Sequence, residues 1–344
     1  MPADTTPAHH TEDGRFTNPW PTWQERSLLE VLKWRWNAPK RPALGWLMSN
    51  PSVTSEDLKQ AFPVRPVDTQ SFAQPTAPGV RAAWIGHATC LLQMAGVTFL
   101  TDPVFSDRAS PFQRLGPRRV VEPAIRPSDP GFPKIDFVLI SHNHYDHLDT
   151  ASVKELHSRF GHDLAWYVPL KLGAWFTNLG ITNVTEMDWW QEVQHSNSQV
   201  SVIMTPAQHW SSRSLTDRRH TLWGGYCVKG PQQRVWFAGD TGYCPAFQEI
   251  GQRLAPIDLA MIPIGAYEPA WFLRPQHCDP AEAVKIHQEV GAKRSFAIHH
   301  ATFSLTDEAL DEPRELLRKH AAEAHLSPEE FQALQHGACL HIGT

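Results

Sequence analysis

Residues 141–147 read Ser141-His142-Asn143-His144-Tyr145-Asp146-His147, directly after the apolar run Phe137-Val138-Leu139-Ile140. Three imidazoles and a carboxylate on one turn need a common partner, and a metal ion suits both donor types. Neutral imidazole and carboxylate fit zinc, with manganese and iron as rivals. His142 and His144 are two positions apart, so in extended backbone they project to the same side. Asp146 and His147 lie just beyond and can turn toward a second ion.

More distant donors complete the set. His209 follows Val202-Ile203-Met204 across Thr205-Pro206-Ala207-Gln208, Asp240 follows Val235-Trp236-Phe237-Ala238-Gly239, and His299 follows Phe296-Ala297-Ile298. Each apolar run reads as a buried strand, and loops at one sheet edge are where a rigid scaffold places chemistry. Split as three, three and one shared, these side chains would leave an open position on each ion for water. Asp240 is the natural shared ligand, because a carboxylate has two oxygens with which to bridge. A lone His-x-His carries little weight. His-x-His-x-Asp-His followed by a distant His, Asp and His is far more specific.

The elements that must hold these residues are legible as short apolar runs. Arg81–Ile85, Thr98–Leu100, Phe137–Ile140, Val200–Met204, Arg234–Phe237, Leu259–Ile262 and Ser295–Ile298 are β-branched or aromatic, with polar punctuation after each. Helices fall between them. One covers Thr150–Arg159; another runs from Asp279 to Val290, with Asp279 as N-cap, Pro280 first, Glu282 third and Gly291 past the end. Strands mixed with covering helices give a layered α/β fold. No internal repeat is evident.

Composition narrows the function classes. The chain has 344 residues, 41% of them hydrophobic, enough for a large core. A net charge of −5 argues against nucleic acid as the main partner. Five scattered cysteines without a C-x-x-C pair read as reduced thiols. No secretory h-region and no run of about 20 apolar residues is visible, which places the protein in the cytoplasm or at a membrane surface. Residues 1–17 are polar and read as a disordered tail. Residues 18–80 form a Trp- and Pro-rich extension packing on the core, and 81–344 the catalytic domain. Within the extension, Gln24–Trp36 reads as an amphipathic helix with Leu28, Leu29, Val31, Leu32 and Trp36 on one face, stopped by Pro39. With Lys33, Arg35, Lys40 and Arg41 nearby, it suits either an anionic membrane surface or the cover of a core.

At these residues the chain resembles the metallo-β-lactamase superfamily. Asn18–Trp23, Trp84–Thr89, Leu100–Phe105, Thr205–Trp210, Phe237–Tyr243, Ile262–Pro269 and Gln276-His277 narrow the resemblance to the N-acylphosphatidylethanolamine-hydrolysing phospholipase D family, over roughly residues 18–344. The resemblance implies an αββα sandwich with two zinc ions. His142, His144 and His209 would hold one, Asp146, His147 and His299 the other, with Asp240 bridging. It also implies a homodimer, a peripheral membrane location, and hydrolysis of N-acylphosphatidylethanolamine to phosphatidic acid and an N-acylethanolamine. Vertebrate members carry Trp after the last metal histidine, where this chain has His300.

Two ions would make a bridging hydroxide available near neutral pH and stabilise charge on the phosphoryl oxygens. Asp146 and Asp240 are then the catalytic carboxylates, with Asp240 orienting the nucleophile. His277 would contact the phosphate or protonate the leaving group. Tyr267, Glu268 and Gln208 are expected to line the substrate site. Asp102 and His87 are expected to support ligand imidazoles from behind. The alternatives are another hydrolase of the same fold, such as a lactonase or other phosphodiesterase, or a metal-binding membrane-docking protein without turnover.

Overall fold

Successive residues of the run before the histidine turn belong to different cores. Phe137 and Leu139 pack into the space between two sheets, whereas Val138 and Ile140 pack beneath helices on the other side. The strand alternation thus buries both faces, so the sequence shows an unbroken apolar run. The computed structural model describes residues 7–37, 55–74, 79–196, 198–214 and 216–343.

Among the described residues, helices α1 (Leu28–Asn37), α2 (Ser55–Ala61) and α3 (Thr69–Ala73) precede the first strand. The first sheet contains β1 (Gly79–Gly86), β2 (Thr89–Met94), β3 (Val97–Thr101), β4 (Phe137–Leu139), β5 (Ala165–Pro169) and β6 (Val184–Met187). The second contains β7 (Glu192–Gln194), β8 (Ser201–Thr205), β9 (Gly225–Lys229), β10 (Arg234–Phe237), β11 (Leu259–Pro263), β12 (Ser295–Ile298) and β13 (Phe331–Gln332). The last strand, β14 (Cys339–Gly343), returns to the edge of the first sheet beside β1. Helices α4 (Thr150–Phe160) and α5 (Gly173–Thr177) cover the outer face of the first sheet through Val153, Leu156 and Phe176. On the second sheet, α6 (Ala246–Leu254), α8 (Pro280–Glu289) and α9 (Glu312–Glu323) pack through Phe247, Val284 and Leu317, and the short α7 (Ala270–Leu273) lies between α6 and α8 in the chain. The result is the expected αββα sandwich.

The two sheets share one pairing plan. The first runs β14-β1-β2-β3-β4-β5-β6 and the second, read from its own edge, β7-β8-β9-β10-β11-β12-β13. In each, three antiparallel pairings are followed by three parallel ones. The fold is therefore internally repeated at the level of topology, which the residue pattern does not reveal.

The seven apolar runs all lie on strands, and α8 carries the full capping box between Asp279 and Glu282. The expected helix over Gln24–Trp36 is shorter, starting at Leu28; Pro39 lies outside the described residues. All five cysteines are free, and four are buried.

Order in the tail differs from expectation. Residues 1–6 lie outside the described residues, but 7–17 are folded against the body. Phe16 is 1% exposed within the inter-sheet core, and a bridge pairs it with His10. His9 and His10 reach the two carboxylate oxygens of Asp188 at 2.7 and 2.8 Å, and His9 stacks on Trp189. One buried aromatic ring and one shared carboxylate offset the low hydropathy of this segment. Phe62 joins the same core, so the extension and the sandwich share their interior.

Phe137 stacks on Phe99 at 4.7 Å between the sheets. Phe137→Ala should lower stability by about 3–5 kcal/mol. On the exposed face of α1, Leu29→Ala should change it by no more than about 0.5 kcal/mol. Urea unfolding of the two variants measures both.

Candidate metal centre

The donors arrive from strand ends at one edge of the sandwich. Asp102 directly follows β3, the His142–His147 turn follows β4, Asp240 follows β10 and His299 directly follows β12. Three site residues take the left-handed backbone region: His87 at φ 53°, Asp102 at φ 33° and His299 at φ 59°. Such conformations cost about 1–3 kcal/mol each outside glycine, so packing must hold them. They break the strand sharply at the sheet edge. Gly239 does the same at φ 64°, where a Cβ would lie 2.8 Å from that of Ser141; the approach of β10 to the histidine turn requires glycine there.

Two groups of ligand atoms form. In the first, His144 Nδ1 lies 2.8 Å from His142 Nε2 and 3.2 Å from His209 Nε2. In the second, Asp146 Oδ2 lies 3.5 Å from His147 Nε2 and 3.4 Å from His299 Nε2. Asp240 Oδ2 sits between the groups, 3.0 Å from both His147 and His299 and 4.0 Å from both His142 and His209. All seven residues predicted as ligands are thus brought together.

The partners behind the imidazoles fix which nitrogen faces inward. Asp102 Oδ2 accepts from His147 Nδ1 at 2.6 Å, and the Gln276 carbonyl accepts from His209 Nδ1 at 2.9 Å. Ser141 Oγ, itself 2.5 Å from Asp102 Oδ2, meets His142 Nδ1 at 2.9 Å. These bonds leave Nε2 of each ring for the centre, the arrangement in which a metal-binding histidine is oriented by a second acceptor. His87 Nε2 lies 3.1 Å from Asp146 Oδ2 and supports that carboxylate. Ser141 and the Gln276 carbonyl were not singled out from the sequence. Ser141 stood in the motif, but a main-chain carbonyl has no sequence signal.

Charge in the centre is tightly constrained. Burial holds His142 well below the usual histidine range, His144 at about 3 and His209 at about 4, so the first group is neutral. In the second group burial resists charge, yet Asp240 and Asp146 lift His147 well above its usual range and His299 to about 9. Burial likewise opposes ionisation of Asp146 and Asp240, but the charge on His147 outweighs it and holds both carboxyls far below normal. Among the described residues, His147 Nε2, His299 Nε2 and Asp240 Oδ1 are buried without a hydrogen-bond partner. Three neutral nitrogens in one group, and carboxylates demanding positive charge in the other, fit divalent cations. The buried His/Asp cluster can therefore hold metal ions.

The remaining expected residues separate. His277 reaches the centre: its Nδ1 is buried and unpaired, 3.9 Å from Asp240 Oδ2, and its ring stacks on His299 at 5.4 Å. Gln208, Tyr267 and Glu268 do not join it. Gln208 is buried and bonds the Thr22 hydroxyl at 2.5 Å and the Pro275 carbonyl at 2.9 Å. Tyr267 donates to Glu312 at 2.6 Å, and Glu268 accepts from the Ala270 amide at 3.1 Å. The polar atoms of Gln208 and Tyr267 are committed to structural partners, and Glu268 lines a cleft with Pro269, Trp271 and Glu312 instead of the ligand cluster. His300 stacks on Trp84 at 4.6 Å, away from the ligand atoms. The extension participates too: Asn18 Nδ2 donates to the His209 carbonyl at 2.8 Å, pinning the loop that carries that ligand.

Comparison with known proteins accords with this geometry. Residues 98–300 match the Beta-lactamase superfamily domain. The chain is 41% identical over 271 residues to N-acyl-phosphatidylethanolamine-hydrolyzing phospholipase D 1 of Caenorhabditis elegans, covering 76% of this chain and 75% of that protein. It is 35% identical over 239 residues to the mitochondrial N-acyl-phosphatidylethanolamine-hydrolyzing phospholipase D of Saccharomyces cerevisiae, covering 68% of this chain and 50% of that one. The metallo-beta-lactamase fold protein YhfI of Bacillus subtilis superposes with a TM-score of 0.54 at 16% identity, over 77% of this chain and all of that one (100%), which shows the shared fold. The chain therefore belongs to the beta-lactamase superfamily, as a metallo-β-lactamase-fold hydrolase homologous to N-acyl-phosphatidylethanolamine-hydrolysing phospholipase D.

Proposed function

We propose that this protein is a zinc-dependent phospholipase D-type phosphodiesterase that releases N-acylethanolamine and phosphatidic acid from N-acylphosphatidylethanolamine. The observation that carries the reading is the complete donor set around Asp240, in a chain whose relatives are named for that reaction. His142, His144 and His209 would hold one ion and Asp146, His147 and His299 the other, with Asp240 shared. When bound, such ions supply Lewis acidity to the phosphoryl group and make water acidic enough to ionise near neutral pH.

The side chains of the chain itself bind and orient. Asp102, Ser141 and the Gln276 carbonyl keep the ligand rings turned inward. Asp240 Oδ1 is buried and unpaired, so it is free to orient the attacking water. Burial keeps the His277 imidazole neutral, and a neutral ring still carries one N–H. From 3.9 Å beyond Asp240, that N–H can donate a hydrogen bond to a phosphate oxygen and hold the phosphate against the centre.

A lipid substrate also suits the surface. On α1, Leu29, Leu32 and Trp36 are 77%, 64% and 90% exposed, one helical stripe turned outward. Phe112 and Leu115 are 66% and 68% exposed on a loop that also carries Arg108, Arg114 and Arg118. Apolar side chains flanked by basic ones fit peripheral contact with a bilayer. No helix among the described residues is long and apolar enough to cross a membrane.

Purified protein with N-acylphosphatidylethanolamine in mixed micelles should yield N-acylethanolamine by mass spectrometry. Asp146→Asn should lower the rate beyond the ~10–100-fold typical of losing a residue behind a metal ligand; equal product from this variant would sink the reading. Dialysis against a chelator should remove metal and activity together, and zinc should restore both. In vesicle co-sedimentation, replacing Leu29, Leu32 and Trp36 together by Ser should reduce binding with the metal content unchanged. Unchanged sedimentation would remove α1 from the membrane face.

A further inference from the structure

Arg213 is a half-buried cation that the reaction scheme leaves without a role. Among the described residues no carboxylate pairs with its guanidinium. Instead Nη1 donates to the Asn143 carbonyl at 2.9 Å and to the Leu148 carbonyl at 2.8 Å. Both residues are buried, and their carbonyls bracket the turn that carries His144, Asp146 and His147. The guanidinium also lies 4.1 Å from the centroid of the Tyr145 ring, between His144 and Asp146 in that turn. Tyr145 completes the exchange by donating its hydroxyl to the Arg213 carbonyl at 2.9 Å. The two residues therefore interlock, side chain on main chain in both directions.

The loop holding Arg213 is braced by one carboxylate. Asp217 accepts from Ser212 Oγ at 2.9 Å, from the Arg213 amide at 3.0 Å and from the Ser214 amide at 2.8 Å. Four residues earlier this loop carries His209. The turn supplies His142 and His144 to the first ligand group, and the Arg213 loop supplies His209, so the clasp joins the two pieces of backbone that must meet to form it.

We propose that Arg213, with Tyr145, is a positioning residue that sets the register between the histidine turn and the His209 loop, and so the metal affinity of the centre. The inference rests on the cluster being a metal site. A planar guanidinium with several fixed N–H donors can hold both carbonyls while lying under a ring, whereas a lysine ammonium is a flexible point charge.

The test is cobalt titration of the metal-free full chain, followed by visible absorption and competition with a chelator. Arg213→Ala should lower affinity about 10–100-fold and alter the cobalt absorption bands. Arg213→Lys should fall between, and Tyr145→Phe, which removes only the hydroxyl bond, should give a smaller loss in the same direction. Thermal melts separate positioning from general stability: the metal-loaded Tm should drop more than the metal-free Tm. Wild-type affinity and spectrum in Arg213→Ala, or equal Tm losses with and without metal, would overturn the proposal. If Arg213→Ala does not fold, wild-type behaviour of both Arg213→Lys and Tyr145→Phe overturns it. A wild-type chain that binds no cobalt, zinc or manganese would remove the metal reading and this inference with it.

Discussion

Everything in the centre turns on one carboxylate. Asp240 is 3% exposed and has an oxygen 3.0 Å from two imidazole nitrogens. A buried anion is tolerated only where positive charge meets it. The fold satisfies this by bringing five histidines and a second carboxylate to the same few ångströms. Neither sheet contributes all of them. The turn after β4 belongs to one sheet, and His209, Asp240 and His299 to the other, so the site exists only where the two edges meet.

That requirement explains features that look costly in isolation. Left-handed backbone at His87, Asp102 and His299 places side chains over the edge instead of along it. Ser141 spends its hydroxyl between Asp102 and His142, and Asn18 reaches from the N-terminal extension to the His209 carbonyl. At this edge, left-handed backbone and long-range polar bonds hold the geometry that the chemistry needs, while the cores beneath are filled by ordinary aliphatic and aromatic packing.

Much of this was legible in the sequence because the donors are tied to local patterns. Each ligand follows an apolar run, and every such run is a strand buried on both faces. Several strands were missed, among them β2, β5 and β9, which are buried along nearly their whole length. β7 is short and mostly polar, and β14 alternates between half-buried and exposed at a sheet edge. Gln208, Tyr267 and Glu268 sit in motifs beside the site, but proximity in sequence did not tell where their polar atoms would point. The tail was misjudged for a related reason: His9 finds its partner 179 residues away, a contact that no local window contains.

The shared pairing plan of the two sheets gives the centre a hidden correspondence. β1 occupies the place in one sheet that β8 occupies in the other, and β3 matches β10. His87 follows β1 as His209 follows β8; Asp102 follows β3 as Asp240 follows β10. The matched residues have diverged in office. His209 and Asp240 face the ligand cluster, whereas His87 steadies Asp146 and Asp102 steadies His147. In each matched pair one member acts as the hand and the other as the wrist. A change at either member of a matched pair would thus be felt at the same centre from opposite sides.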